Sequence, residues 1–238
     1  MKRYAKGQSL TEFIIISPLF FLIIMGIFEF AYIYRAKTTL NTATFEAVRA
    51  GVLNNAEKSY MENALIKGLI PLNMSGNTGT AGMASSYVKT LAIHTLINNL
   101  KNTVTIISPT KAIFTKFKVK RKTTLVNDSN DKVRWVIPND NLLLRSTKNE
   151  SIDGSKKLNI QDANLLKIRT FWCYELKVPI LRTLLVDALS SDITGLSSAE
   201  QTACNLASNI IPNSKPRIAI TSFSVMRMQS HISDKEFK

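Results

Sequence analysis

One apolar run near the N-terminus constrains the fold of this 238-residue chain more than any other feature. The run extends from Phe13 to Tyr34, and a helix of these 22 residues would be about 33 Å long at 1.5 Å per residue. That length matches a bilayer core of about 30 Å. The basic residues Lys2, Arg3 and Lys6 precede the run, so the charge distribution predicts a cytoplasmic N-terminus. The sequence therefore predicts a single membrane span, with the rest of the chain on the other side.

Two other kinds of N-terminal segment also contain an apolar run. The apolar core of a secretory signal peptide has about 7 to 15 residues and is followed by a cleavage site with small residues. Here the run is longer, and it ends in the aromatic sequence Ala31-Tyr32-Ile33-Tyr34. An ordinary signal peptide is therefore disfavoured, whereas an uncleaved signal anchor stays open.

Two carboxylates lie at or within the apolar run. Glu12 lies at its entrance, and a carboxylate at the edge of a membrane helix indicates a functional site with a partner. Cleavage between Gly7 and Gln8 would supply that partner, because the new α-amino group of Gln8 would be a cation. Glu29 lies in the last third of the run, where it either pairs with a neighbouring subunit or extends to the interface beside the tyrosines.

A short basic leader, Gly7, Glu12, Phe13 and an apolar helix together resemble a prepilin cleavage site. More closely, they resemble the TadE-like pseudopilins of tight adherence (Tad) pili. The pattern Gly-x-x-Glu-Phe at residues 26–30 and the small-residue segment at 41–51 are also similar to that family. The segment departs from the family in one place, with Val48 where alanine is usual.

The resemblance implies a minor pilin or pseudopilin that takes part in the assembly or initiation of a Tad-type pilus for surface adherence. Residues 1–7 would be a leader removed by a prepilin peptidase at Gly7-Gln8, and residues 8–35 an assembly helix in the inner membrane. Glu12, Phe13 and Glu29 would then contact other pilins and the assembly machine. The alternative is a signal-anchored envelope protein whose basic outer domain binds an anionic ligand or polymer.

The remaining sequence predicts an α+β fold, with helices packed on an antiparallel sheet. The membrane helix should continue over residues 36–66 and lead into an extracytoplasmic, periplasmic domain at 67–238. The small-residue stripe Leu40, Ala43, Ala47 and Ala50 favours close helix packing, either between subunits or on the chain's own domain. Residues 68–82 are rich in glycine and predict a loop, and Ser86 to Lys101 predicts a helix with Val88 and Leu91 on its apolar face.

Strands are predicted by alternating patterns after Pro109. One alternating row contains Lys116, Lys118, Lys120 and Lys122, which indicates either the protection of an edge strand or a binding strip for an anionic partner. Other predicted elements are a turn at 128–131, a strand at 133–137, a loop at 139–155, a central strand at 168–176, a helix at 181–189, a helix opened by a capping box at 197–200, a last strand at 217–228 and a frayed tail at 235–238.

Net charge, cysteines and histidines indicate which partners, compartment and chemistry to expect. The net charge of +14 favours anionic partners such as membrane surfaces, although we expect no dedicated nucleic-acid site. Cys173 and Cys204 would both lie in an oxidising compartment, which supports one disulfide, with two buried thiols as the alternative. His94 and His231 have no companions that form a triad or a metal site, so we expect neither an enzyme nor a cofactor.

Overall fold

The structure is a computed structural model that describes residues 8–74, 79–125, 128–153, 156–190, 198–211 and 215–237. Its fold class is α+β, as predicted, with a long apolar N-terminal helix followed by shorter helices and antiparallel sheets. The chain forms two compact units. The first contains Met1–Ala36 and Cys173–Ala219, and the second contains Lys37–Trp172 and Ile220–Lys238.

Helix α1 spans Gln8–Leu53 and includes the whole predicted membrane segment. The helix predicted over 36–66 is interrupted, because the backbone turns after Leu53 and a second helix, α2, spans Lys58–Asn73. Asn55 and Ala56 take positive φ angles of 58° and 59° in this turn. The carbonyl oxygen of Val52, freed at the end of α1, accepts a hydrogen bond from the backbone N–H of Ser230 at 3.0 Å. A distant segment of the same unit therefore completes the helix end, which the local sequence does not reveal.

The loop predicted from Gly68 is wrong for its first residues, because α2 continues to Asn73 through Pro71. Gly68 does not break the helix but lies against α1: a Cβ atom added to it would lie 2.6 Å from Ala43 Cβ. Ala43 and Ala47 are completely buried. The small residues of α1 thus serve packing within their own unit, the second of the two predicted alternatives.

Helix α3 spans Thr80–Leu100 and confirms the predicted helix, but its buried face is not the expected one. Val88 is 62% exposed, whereas Ser86 and Thr90 are buried. Their hydroxyl groups donate to the carbonyl oxygens one turn earlier, Ser86 Oγ to Gly82 O and Thr90 Oγ1 to Ser86 O, each at 2.7 Å. These bonds let polar side chains take core positions that periodicity alone assigns to apolar ones.

The remaining helices and strands follow in chain order: β1 Val104–Ser108, α4 Lys111–Phe117, β2 Val119–Leu125, β3 Asp128–Ile137, β4 Glu150–Asp153, β5 Lys156–Leu158, α5 Ile160–Ala163, β6 Leu165–Glu175, α6 Pro179–Ser190, α7 Ala199–Ile210, β7 Arg217–Arg227 and β8 Ile232–Ser233. Their sheet orders are β1-β6-β7, β2-β3-β8 and β4-β5. The prediction that residues 168–176 form a central strand is confirmed, since β6 lies between β1 and β7. Strand β1 was not predicted.

The region between β2 and β6 is more ordered than predicted. The hairpin pairs Leu125 with Asp128, so residues 128–131 belong to β3 and do not form the predicted turn. The predicted loop at 139–155 contains a 3-10 turn at Leu142–Leu144 and strand β4. Strand β4 exists because β5 pairs with it, with Glu150 opposite Leu158, a partner that lies beyond the predicted loop.

The cap of α7 lies one residue later than predicted, since Ser198 Oγ accepts the backbone N–H of Gln201 at 3.1 Å. The predicted cap residue, Ser197, lies outside the described residues. The side chain of Gln201 bonds to β7: its Nε2 donates to Arg217 O and its Oε1 accepts from the Ala219 N–H, both at 2.9 Å. The amide thus fixes α7 on the sheet within the first unit.

The C-terminal tail is packed over residues 235–237, where fraying was predicted. Phe237 is 9% exposed and stacks on Phe114 with ring centroids 4.9 Å apart. The Lys235 ammonium also contacts the buried Glu57 carboxylate. Packing against Phe114, which is distant in sequence, therefore orders a tail whose charged composition predicts fraying.

Candidate functional site

The candidate site is the N-terminal part of α1, together with the polar groups that meet it. Lys2, Arg3, Lys6 and Gly7 lie outside the described residues, and Gln8 is the first residue of α1. Glu12 and Phe13 lie exposed on the helix, Phe13 with 68% of its surface accessible. The structure thus places Glu12 next to the start of the helix, where a group on another chain can reach it.

The helix surface after Glu12 is apolar and uncovered. The large side chains that are more than half exposed between Phe13 and Ile23 are Phe13, Ile14, Ile15, Ile16, Leu19, Phe20, Phe21 and Ile23. Among the described residues, one helix, Glu12–Leu53, is long and apolar enough to cross a membrane by its length and composition. Such a surface fits single-pass anchoring in a membrane.

Glu29 fits neither role predicted for it, pairing with a neighbouring subunit or extending to the interface. Its side chain is 1% exposed, and its two carboxylate oxygens accept the backbone N–H groups of Lys177 at 3.1 Å and Val178 at 2.6 Å. Lys177 and Val178 connect β6 with α6. Glu29 is therefore used within its own chain, where it binds the linker that follows the central strand.

Tyr174 lies in the environment of this carboxylate. Its side chain is 6% exposed. Burial, followed by the negative charge of Glu29, raises the pKa of Tyr174 to about 12. The phenol consequently stays neutral at physiological pH and adds no second negative charge next to Glu29.

Cys173 and Cys204 are joined in a disulfide bond with a Cα–Cα distance of 5.3 Å. Cys173 lies on β6 and Cys204 on α7, so the bond connects sheet and helix within the first unit. The closed loop has a sequence separation of 31 residues. The chain-entropy relation gives such a loop a stabilisation of about 3 to 4 kcal/mol.

The four lysines predicted to share one strand face do not do so. Lys116 lies in α4 and Lys118 at its end, and only Lys120 and Lys122 lie on β2. Lys118 Nζ and Lys120 Nζ lie 5.0 and 5.1 Å from the ring centroid of Trp135. The prediction is wrong because α4 ends within the alternating pattern, so the pattern covers parts of two elements. Strand β2 nevertheless lies at a sheet edge, where exposed lysines discourage pairing with another chain.

Lys116 and Lys122 have carboxylate partners at the surface. Lys116 Nζ lies 3.3 Å from Glu150 Oε2, and Lys122 Nζ lies 3.8 Å from Asp131 Oδ2. Both pairs are exposed, and exposed ion pairs contribute about 0 to 1 kcal/mol each. These two lysines are therefore available to exchange partners at low cost.

A polar cluster that the sequence did not indicate surrounds Asp140. Its carboxylate lies 2.9 Å from Arg121 Nη1 and 3.1 Å from Arg145 Nη2. Burial opposes the shift, but hydrogen bonds from the two arginines lower the pKa of Asp140. The neighbouring His231 Nδ1 accepts the backbone N–H of Asn139 at 3.0 Å. Of these residues, Asn139, Asp140 and His231 border a cavity of about 430 Å³. The cluster combines residues as distant in sequence as Arg121 and His231, and it has no motif spacing that would reveal it.

His94, the other histidine, is buried on α3. Its Nε2 lies 2.8 Å from Thr103 Oγ1, and Thr103 Oγ1 in turn donates to Asn98 Oδ1 at 3.1 Å. Burial, and then the charge of Lys58, lower the pKa of His94 to about 4. Within the described residues, no three His, Cys, Asp or Glu side chains are grouped so that they could hold a metal ion.

Comparison with known proteins finds one family. The family model described as TadE-like protein matches residues 7–49, which include the expected cleavage position, Glu12, Glu29 and three of the four residues of the small-residue stripe, Leu40, Ala43 and Ala47. No curated protein and no solved structure matches the chain. Over residues 7–49, the resemblance inferred from the motifs is thus confirmed: this segment of the chain is similar to the TadE-like family.

Proposed function

We propose that this protein is a minor pilin of a Tad-type pilus, cleaved after Gly7 and active in pilus assembly or initiation. The observation that carries the proposal is the family match over residues 7–49, because it covers both the cleavage position and Glu12. TadE-like proteins are structural pilin components and not enzymes. The chain would accordingly be a substrate of the prepilin peptidase and a subunit or partner of the assembly machine.

The geometry of α1 supports this role. From Gln8 to Leu53 the helix is unbroken, and its first part presents apolar side chains on its surface. Such a helix is stable in lipid, and it can also pack against similar helices of other subunits when lipid is displaced. In this proposal the N-terminus lies in the cytoplasm, the span lies in the inner membrane, and the rest of the chain is periplasmic.

Processing provides the direct test. In cells that contain the pilus assembly genes, N-terminal sequencing of the membrane-extracted protein should return Gln8. A leucine at position 7 should block cleavage, because a peptidase site that accepts glycine has no room for a branched side chain. Ala5→Leu is the matched control, since it adds the same side chain two residues before the bond and should leave cleavage intact.

Two results would contradict the proposal. One is a mature protein that begins with Met1, and the other is normal processing of the Gly7→Leu variant. Either result would instead support the alternative of a permanently anchored envelope protein. In that case, Lys118 and Lys120, which lie over the Trp135 ring, would be the first residues to test for binding of an anionic ligand.

A further inference from the structure

Helix α6 lies beside the apolar part of α1. A Cβ atom built on Gly26 would lie 4.0 Å from Leu181 Cδ1, which is ordinary van der Waals contact. One turn later along α1, Glu29 binds the backbone N–H groups of Lys177 and Val178, immediately before α6 begins. Both contacts are within the first unit. They fix the first turn of α6 at the level of residues 26–29 of α1.

That level lies within the membrane for either placement of the span. If the apolar core ends at Tyr34, Gly26 is eight residues, or about 12 Å, below the surface. If a core of about 30 Å begins at Gln8, where α1 starts, it ends near Phe28 and still includes Gly26. Leu181 therefore lies within the hydrocarbon in both cases, about 12 Å deep in the first and near the edge in the second. We adopt the second placement, because it puts the Glu29 carboxylate and its backbone donors at the interface.

The sequence of α6 is suited to that depth. Its apolar side chains recur at the helical spacing i, i+3, i+4 and i+7, in the order Leu181, Leu184, Leu185 and Ala188. Leu184 is 57% exposed, so the stripe is only partly covered by the protein. Thr183 lies on the opposite side of the helix from Leu181, since two residues turn an α-helix by about 200°. An amphipathic helix with this division of side chains is typical of a membrane interface.

We propose that α6 is an interfacial helix whose stripe from Leu181 to Ala188 inserts into the leaflet on the far side of the membrane from the N-terminus. The occupant of the stripe is lipid, because the stripe continues the apolar surface of α1, whose Ile27 and Phe28 are 64% and 57% exposed at the same depth. The inference rests on the membrane anchoring in the proposed function. Lys177, exposed just before α6, is placed at the level of the lipid phosphates.

With α6 at the interface, the chain has a second membrane contact, whereas its sequence indicates only one. Two contacts at different positions restrict the tilt and rotation of α1, because α6 can remain at the interface in only one orientation. The backbone bonds to Glu29 transmit this restriction, since they connect the two helices at the membrane surface. The helix would thus be oriented before it meets other subunits.

The test uses photo-cross-linking of the full chain in vesicles of phosphatidylethanolamine and phosphatidylglycerol. A diazirine amino acid is placed at Leu184, at Thr183 or at Phe20, all of which are exposed. The probe at Leu184 should give lipid adducts, detected by mass, at least fivefold above those from Thr183. The probe at Phe20, in the middle of the span, reports on membrane insertion itself.

Each outcome has a distinct meaning. Equal lipid labelling from Leu184 and Thr183, or adducts at Leu184 mainly with a second copy of the chain, would overturn the inference while the span stands. No lipid adduct at Phe20 would overturn the span and therefore the proposed function, and the α6 inference would fail with it. Strong lipid labelling at Phe20 and Leu184 with weak labelling at Thr183 supports both.

Discussion

Glu29 Oε2 accepts a hydrogen bond of 2.6 Å from the backbone N–H of Val178, across 149 residues of sequence. A carboxylate in an otherwise apolar part of α1 is costly to bury unless its oxygens are satisfied. Here Lys177 N–H satisfies the second oxygen at 3.1 Å. Glu29 therefore has a structural use within one chain, independent of any contact with other subunits.

Replacing Glu29 with glutamine should destabilise the protein by about 1.5 to 3 kcal/mol, the range of a hydrogen bond to a charged group. The variant keeps one acceptor oxygen but turns an NH₂ donor toward a backbone N–H, which leaves both donors unsatisfied. Denaturant unfolding of the full chain in detergent measures the change. Glu46→Gln, an exposed change of the same chemistry on the same helix, is the control and should alter stability by less than about 0.5 kcal/mol. Equal effects from the two variants would contradict the role of Glu29.

Gly68 and Gly26 both lie within helices, but only at Gly68 would an added Cβ atom meet the backbone of another helix. Gly68→Ala would place Cβ 2.6 Å from Ala43 Cβ and 2.8 Å from Ala43 Cα, so backbone atoms would have to move. We expect a loss of about 1 to 3 kcal/mol, as in overpacked cores, despite the higher helix propensity of alanine. Gly26→Ala meets its nearest atom at 4.0 Å and should be neutral or stabilising. Thermal unfolding of the two variants in the same detergent checks the difference, and a neutral Gly68→Ala would show that α1 and α2 pack less closely.

His94 should make stability depend on pH. Its pKa is about 4 in the folded protein and 6.5 in its ordinary state, so the unfolded chain takes up a proton that the folded chain does not. The contribution of neutral His94 is therefore complete above pH 6.5 and is lost as the pH falls toward 4. The total loss is about 3 kcal/mol, an order of magnitude given by 1.36 kcal/mol per pKa unit.

The measurement compares the free energy of unfolding of the wild type and His94→Gln between pH 7 and pH 4. The glutamine amide keeps a donor for Thr103 Oγ1 but does not titrate. His231, whose pKa is also lowered, chiefly by burial, is present in both proteins, so its contribution cancels in the difference. Parallel pH profiles for the two proteins would show that His94 does not control this dependence.

The sequence was most informative where one local rule decides the structure. The length and composition of the apolar run predict α1, and the alternating pattern at residues 167–177 predicts β6. Predictions failed where distant residues decide. Gly68 signals a loop unless Ala43 is known to lie against it, and the end of α1 depends on Ser230. The lysine row failed for a related reason, since two elements meet inside one alternating pattern.

The candidate site shows the same division. Glu12 was identified by its position alone, since any carboxylate at the start of a membrane helix requires an explanation. Glu29 was equally conspicuous, but its partners are backbone N–H groups, which every residue except proline carries and which no pattern can single out. The cluster around Asp140 combines residues from separate elements and has no local signature.

A change at Glu12 separates pilus assembly from leader processing. After cleavage, the α-amino group of Gln8 and the Glu12 carboxylate of a neighbouring subunit would attract each other by about 4 kcal/mol at 4 Å and an effective dielectric constant of about 20, before desolvation is subtracted. Glu12→Gln keeps the size of the side chain and removes its charge. The variant should still be cut after Gly7 and remain in the membrane. Its co-purification with pilin partners should fall about tenfold, which corresponds to a net loss of about 1.4 kcal/mol.

Glu29→Gln and Glu46→Gln make this test specific, because all three variants remove one carboxylate from the same helix. Glu29→Gln should lower the stability of the isolated chain, whereas Glu12→Gln should leave that stability unchanged, since Glu12 lies exposed near the start of α1. Glu46→Gln should change neither property. The assembly role of Glu12 is wrong if its glutamine variant is cut normally, co-purifies with its partners at the wild-type level and supports a normal number of pili. A variant that is poorly cut would instead assign Glu12 to recognition by the peptidase.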